Sequence, residues 1–480
     1  MTKAENPILG GNFADPSIIR EGDDYFMVHG GGGYRSLLMW HSRDLVHWDI
    51  LYSVLEGFEE PVWAPDLVKV KDRWYIYCFG KGVWVTHTDD IRKGQWSRPE
   101  GIEGVEGIDP GHFQDEDGKR WLFVENNRVY PLNEDGDRIT GGSVQVCPPW
   151  PVPDSWDVEG ECCEAPKLLQ RQGWIYLTVA QGGTQGPPTS HSIISFRSRR
   201  LSGPWESSPY NPISHCDTRE EEWWSKGHGT LIDTVQGDWF IVYHGIRRDH
   251  RHLGRQTLME PVEWTEDGWF RIPEDSSPDK AFTVNLPASS GGSPDLSLFS
   301  ASKAGTAWYF LNSSDYSRVE VRNEELVLHS IGTSLYNTGP ALLHNPYRSQ
   351  DFSAQLEVQD GAAGGLCMHY SAHLSFGIAL EEGYIRIYDQ EKPWLEEKEN
   401  MIQWPHNTLW LKLKDRHGVI SPWFSADGLN WNKINRCGEV SSWNSNAADA
   451  DGFYGCVRPG LFSCKSGQTI FKNIRRSGII

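Results

Sequence analysis

Phe13-Ala14-Asp15-Pro16-Ser17-Ile18-Ile19 is an acidic turn that runs straight into an apolar strand, and Tyr25-Phe26-Met27-Val28 answers it with a second strand. The pair recurs. Later openings read Ala64-Pro65-Asp66-Leu67-Val68, Asp109-Pro110-Gly111-His112-Phe113, Glu164-Ala165-Pro166-Lys167-Leu168-Leu169 and Gly227-His228-Gly229-Thr230-Leu231-Ile232. Their answering strands are Trp74-Tyr75-Ile76-Tyr77, Trp121-Leu122-Phe123-Val124, Trp174-Ile175-Tyr176-Leu177 and Trp239-Phe240-Ile241-Val242. Successive openings are spaced by roughly 43–64 residues, which suits a four-stranded propeller blade with variable loops. A radial repeat brings equivalent positions of every unit to one centre. The expectation is that Asp15, Asp66, Asp109, Glu164 and His228 share one register and converge there.

Each unit has a second half. Trp40-His41-Ser42-Arg43-Asp44-Leu45-Val46-His47-Trp48 resembles Val85-Thr86-His87-Thr88-Asp89-Asp90-Ile91 with its following Trp96, and Ser195–Leu201 with Trp205. These segments read as a third strand, a polar turn and an outer strand closed by Trp. The series ends near Trp269-Phe270-Arg271-Ile272-Pro273, and a Ser-, Pro- and Gly-rich stretch follows. From about residue 297 the texture changes. Arg318-Val319-Glu320-Val321, Ala354-Gln355-Leu356-Glu357-Val358, Tyr384–Tyr388 and Leu409-Trp410-Leu411-Lys412-Leu413 alternate polar and apolar residues, as half-buried antiparallel strands do. The fold read from the chain is all-β: a five-bladed propeller over 1–275, a linker over 276–296, and a jelly-roll-like, concanavalin-like β-sandwich over 297–480.

Composition narrows the partners. The chain has 480 residues with 23 Trp, 17 Tyr and 18 Phe, side chains that favour strands and also stack on sugar rings. Sixty-five acidic against 45 basic residues give a net charge of −20, which repels nucleic acid and anionic membranes and favours a neutral ligand. Nine cysteines at irregular spacing include no paired CxxC units, so the reading is buried thiols rather than zinc ligands. Met1–Pro7 lacks the apolar core of a signal peptide and no apolar run reaches about 18 residues, so a cytoplasmic protein is expected.

Breaking a glycosidic bond requires an acid for the leaving oxygen and a carboxylate that activates water or attacks. Asp15, Asp109 and Glu164, at repeated strand openings, could supply both. One Asp-Pro is an ordinary turn; three acidic openings point to a shared site. Here the residues resemble glycoside hydrolase family 43, of the β-xylosidase and α-L-arabinofuranosidase group. The resemblance rests on Asn6-Pro7-Ile8-Leu9, Phe13–Ser17, Val62-Trp63-Ala64-Pro65-Asp66, Ile108-Asp109-Pro110, Glu164–Leu168, Ala180-Gln181-Gly182-Gly183-Thr184, Gly227-His228-Gly229 and Leu253-Gly254-Arg255-Gln256-Thr257. Phe424–Trp431 is similar to the sandwich that follows the propeller in many of its β-xylosidases.

The resemblance implies single-displacement hydrolysis with inversion. Asp15 would be the general base, Glu164 the general acid, and Asp109 the neighbour that orients the acid and keeps its pKa raised. Arg255 would bind sugar hydroxyls and Trp63 would wall the subsite, with Phe113 and His228 also facing substrate and Asp66 either a structural residue or a partner of a substrate hydroxyl. No cofactor is required, although relatives often hold a calcium ion at the propeller axis, where His228 would be its ligand. Phe453 or Phe462, in a loop from the sandwich, would narrow the pocket to one sugar. Substrates would be xylo-oligosaccharides or arabinose-substituted oligosaccharides, and a homo-oligomer is compatible with the chain. Two departures stand out. Glu-Ala-Pro replaces the more usual Glu-Gly-Pro. Lys167 stands where His is frequent and, pointing inward, would lower the pKa of the acid. Glu159 and Glu161 read as solvated loop carboxylates. The leading expectation is an exo-acting β-1,4-xylosidase that also removes α-L-arabinofuranosyl groups. The alternatives are a dedicated arabinofuranosidase and a non-catalytic sugar-binding propeller.

Overall fold

The structure, a computed structural model, describes residues 1–30, 37–55, 58, 61–289, 308–311, 313–322, 325–389, 392, 397, 400–445 and 455–479. The chain forms two compact units: Met1–Leu9, Phe13–Arg248 and Arg255–Gly292 make one, and Gly10–Asn12, Asp249–Gly254 and Ser293–Ile480 the other.

The first unit is a five-bladed β-propeller. Its innermost strands are Ala14–Glu21, Trp63–Val70, Gly111–Gln114, Cys163–Arg171 and Trp223–Asp233, each the first of an antiparallel sheet. These strands pack against their neighbours in a closed ring. Apolar clusters fill the gaps between blades, such as Tyr77, Val85, Leu122 and Tyr130 between the second and third. The stretch read as linker is partly structured in this unit, because Phe282–Val284 pairs antiparallel with Thr2–Ala4.

The repeat is anchored on proline rather than on the acid. Asp15, Ala64, Asp109 and Ala165 all have φ between 46° and 58°, and each precedes a proline; His228, at φ 60°, precedes Gly229. L-residues rarely adopt this left-handed conformation, so each opening stores local strain that the surrounding sheet must offset. In blades one, two, four and five the ladder slips at this point. The five expected positions are therefore not in one register. Asp15, Asp109 and His228 share the left-handed position, Glu164 lies one residue before it, and Asp66 lies two residues after.

The position after the proline ties blades together. Ser17 Oγ accepts from the Leu67 N–H at 2.9 Å, Asp66 Oδ2 accepts from the His112 N–H at 2.7 Å, and Thr230 Oγ1 donates to Pro16 O at 2.8 Å. Each bond joins one inner strand to the next blade.

The second unit is a β-sandwich, with seven- and eight-stranded antiparallel sheets among the described residues. Alternation along Thr408–Arg416 turns Leu409, Leu411 and Leu413 into the core with Leu366, Ile378 and Phe471. Burying each leucine is worth roughly 1.5–3 kcal/mol. One turn recurs in both units. Ser42 Oγ accepts from Asp44 and Leu45 N–H, Asp44 Oδ1 accepts from Val46 and His47 N–H, and Trp48 Nε1 donates to Leu45 O. Ser425, Asp427 and Trp431 repeat this network around Gly428. Leu45 and Gly428 both hold positive φ, at 65° and 74°, which the turn requires.

Candidate active site

Asp15 is a carboxylate held on several sides. It is buried, and its Oδ1 accepts from Arg255 Nη1 at 3.2 Å and lies 3.3 Å from His228 Nδ1. The Asp15 N–H donates to His244 Nδ1 at 3.1 Å, which leaves the His244 proton on Nε2, 3.2 Å from Thr184 Oγ1. Burial alone would raise the pKa of Asp15, but Arg255 and His228 together hold it well below the usual carboxylate range. Burial pushes the other way on the imidazoles, lowering His228, taking His244 to about 4 and His29 to about 3. The cluster is thus one carboxylate anion balanced by one guanidinium and neutral histidines.

Glu164 and Asp109 are displaced in the opposite direction. Burial and the nearby Asp15 charge push Glu164 up to about 7. Burial and the charges of Glu164 and Asp15 push Asp109 well above its ordinary value. Two carboxyl groups that repel each other cannot both ionise easily, so the pair keeps a proton near neutral pH. One cluster, with Asp15 and Asp109 buried and Glu164 partly so, therefore holds a firmly ionised carboxylate and a firmly protonated acid.

The other expected site residues divide. Trp63 is half-buried at the opening of the second blade with its ring 6.0 Å from that of Phe79. Asp66 is a strut between blades, bonded to Lys167 Nζ at 2.8 Å as well as to the His112 N–H. Phe113 does not face the site. It packs with Phe123, Val129, Ile175 and Leu177 between the third and fourth blades, because alternation along Gly111–Gln114 sends it sideways. Phe113→Ala should cost about 3 kcal/mol of stability in urea unfolding while leaving the substrate KM unchanged. Phe453 lies outside the described residues. Phe462 is fully buried within the sandwich, edge-on to Tyr388, and is core rather than pocket wall. Lys167 does point inward, yet the groups acting on Glu164 are Asp15, Arg255, Glu159 and Glu125, and the Lys167 charge is felt by Asp109. Glu159 is exposed but not merely solvated, since its Oε2 accepts from the Gln185 and Gly186 N–H groups and holds that loop.

His244, His29 and Thr184 were not singled out from sequence. A signal existed: the apolar runs Tyr25–Val28 and Trp239–Tyr243 are each followed directly by a histidine, His29 and His244, inside the strands Asp24–Gly30 and Trp239–Arg247. An answering strand runs back toward the opening of its partner, and His244 pairs with Gly227 there. His29 Nε2 lies 3.1 Å from Thr257 Oγ1, which donates to Phe13 O beside the first opening.

Donor atoms of Asp15, His228 and His244 lie within 4.8 Å of one another. They do not suit calcium, which takes oxygen ligands, because two are nitrogens and Arg255 already sits on the carboxylate. The atom that fits an ion surrounded by water is His228 Nε2, buried and without a hydrogen-bond partner among the described residues.

Residues 4–270 match the model of glycosyl hydrolases family 43, and residues 297–470 match the beta xylosidase C-terminal concanavalin A-like domain. The chain belongs to glycosyl hydrolases family 43. This family 43 chain is 29% identical over 327 residues to a xylan 1,3-beta-xylosidase of a Vibrio species, the match covering 58% of each. It is 28% identical over 381 residues to a non-reducing end alpha-L-arabinofuranosidase of Bacteroides ovatus, covering 74% of this chain and 70% of that one. The chain thus matches less than two thirds of the length of the first of these relatives. Among solved structures, the GH43 BlXynB protein of Bacillus licheniformis superposes with a TM-score of 0.85 at 26% identity over 99% of both chains.

Proposed function

We propose that this chain is an exo-acting, inverting glycosidase that releases xylose from the non-reducing end of β-1,4-xylo-oligosaccharides and also removes α-L-arabinofuranosyl groups. The observation that carries this reading is the split within one buried cluster: Asp15 is held ionised while Glu164 keeps its proton near neutral pH. Such a split sorts two carboxyl groups into base and acid.

Asp15 takes a proton from water, and the oxygen so freed attacks the anomeric carbon. Glu164 donates its proton to the departing glycosidic oxygen as the bond breaks. Arg255 and His228 fix the Asp15 carboxylate, and the Asp15 N–H bond to His244 fixes the backbone beneath it. Asp109 shares the proton of the pair and orients Glu164. Trp63 walls the sugar subsite. An axial calcium ion, when bound, would be held on His228 Nε2 and would add positive charge to the floor of the site.

The names of the relatives support both pentose activities, and the arabinofuranosidase likeness of the Bacteroides ovatus protein favours a dedicated arabinofuranosidase as the second reading. Hydrolysis rates on aryl xylopyranoside and aryl arabinofuranoside decide between them. Proton NMR of the first-formed sugar tests the stereochemistry. The expected xylose product from a β-xyloside is the α-anomer; first appearance of the β-anomer would overturn inversion, and release of no pentose would overturn the glycosidase reading.

A further inference from the structure

Lys167 takes no part in the chemistry above, yet it is buried beside that chemistry. It occupies the strut position of the fourth blade, two residues after the left-handed Ala165. Its partners are not on the adjacent blade. Nζ donates to Pro65 O and to Asp66 Oδ1, both at 2.8 Å and both on the second blade. At the third blade's own strut position stands Gly111, and an added Cβ there would lie 2.1 Å from Pro166 O, so the glycine lets the fourth blade's opening come close. Asp66 meanwhile accepts from the His112 N–H of the third blade. One ion pair therefore gathers three consecutive blade openings, those that present Trp63, Asp109 and Glu164.

We propose that Lys167 is a positioning residue for the proton-sharing pair Asp109 and Glu164: its ammonium, held across the third blade by Pro65 and Asp66, fixes the bulge that presents Glu164 and places a buried positive charge beside Asp109. The proposal rests on the reading of Glu164 as acid and Asp109 as its partner. Asp109 is faced by Glu164, Asp15, Lys167 and Arg255, with the Cys78 thiol also near. Glu164 is faced by Asp15, Arg255, Glu159 and Glu125, with Cys162 and Cys163 adjoining it. Arg255 is committed to Asp15 by a hydrogen bond, whereas Lys167 binds none of these carboxylates directly. Removing the Lys167 charge leaves the pair's like-charge repulsion less opposed, so the pair binds both of its protons more tightly. The alkaline limb of the pH–rate profile then moves upward, while the acid limb, set by Asp15, stays in place. A lost strut without an electrostatic role lowers turnover by the same factor at every pH instead.

The test compares wild type, Lys167→Met, Lys167→Arg and the double variant Asp66→Asn/Lys167→Met. The double variant leaves no unpaired buried carboxylate, so it remains informative where Lys167→Met does not fold. Two measurements are made: the pH profile of aryl pentoside hydrolysis, and the titration of 13C-labelled carboxyl groups by NMR without substrate. The expected result is an upward shift of about 1 pH unit in the alkaline limb and in the pair's titration for Lys167→Met, a smaller upward shift for the double variant, which also loses the Asp66 charge, and Lys167→Arg close to wild type. An unmoved alkaline limb with an even loss of turnover would overturn the proposal. If wild type hydrolyses no pentoside, the glycosidase reading falls. The NMR titration then stands alone: an upward shift upholds the role of Lys167, and an unmoved pair overturns it.

Discussion

Glu164→Gln should slow hydrolysis of xylo-oligosaccharides by about 10³-fold while making the folded protein more stable at pH 8. The loss follows from the proton. The introduced amide keeps the shape and a hydrogen-bond donor but cannot deliver a proton to the leaving oxygen, a contribution of about 10²–10⁴ in rate. An activated aryl leaving group departs with little help, so the variant should retain far more activity on nitrophenyl xyloside than on xylobiose. The alkaline limb near pH 7, set by Glu164, should also vanish. The gain in stability follows from the same residue. The unfolded chain releases this proton near the ordinary 4.5, while the fold keeps it to about pH 7. Between those values the folded state binds more protons, so stability falls as pH rises, by on the order of 2 kcal/mol for this half-buried group. The amide avoids that cost above pH 7 and brings no gain below pH 4.5. Urea midpoints at pH 4 and pH 8 check both statements. Equal midpoints at pH 8 would mean that the site does not strain this carboxyl, and the assignment of the acid would lose its physical basis.

The blades were legible in the sequence because each one needs the same things: a tight opening, an apolar strand buried on both sides, and a returning strand with aromatic residues. Acid residues marked the openings, and three of them do meet in one cluster. Their exact offsets were not legible. The eye aligns carboxylates, whereas the fold aligns the left-handed residue before proline, so Glu164 and Asp66 fall to either side of the shared position. Phe113 was misread for a related reason. One step along a strand reverses the facing of a side chain, so His112 stacks on Tyr77 toward the second blade and Phe113 packs toward the fourth. The histidine after an apolar run was a local mark of His244, but its target was not legible, since its bond to Asp15 spans 229 residues of sequence. Lys167 was seen, and its inward direction was left as a condition that the structure meets. Its target was not legible, since Asp66 lies 101 residues away on the second blade. The sandwich was read from simple alternation, which survives because only one face of each strand is buried.

Asp15→Asn should abolish turnover to a similar extent, about 10³-fold, but with the opposite effect on stability. Asn tolerates the left-handed backbone and keeps the N–H that His244 accepts, so the conformation at φ 54° should persist. What disappears is charge. Arg255 would remain buried at 7% exposure without the carboxylate it now meets at 3.2 Å. Breaking a buried ion pair on one side typically costs about 3–5 kcal/mol. The pH dependence has a definite sign. Asp15 is held well below its ordinary 3.8, so its stabilising contribution is present above that value and fades as pH falls through the lower folded value. Wild type and variant should therefore differ most near pH 7 and converge in strong acid. Residual activity should carry a second mark: without the Asp15 charge, Glu164 loses a like-charged neighbour and its pKa falls, so the alkaline limb moves to lower pH. Two carboxyl groups of one cluster would then each be needed for turnover while pulling stability in opposite directions. A merely structural cluster would give losses of stability on both sides. A site that holds one proton firmly off and another firmly on must give one loss and one gain.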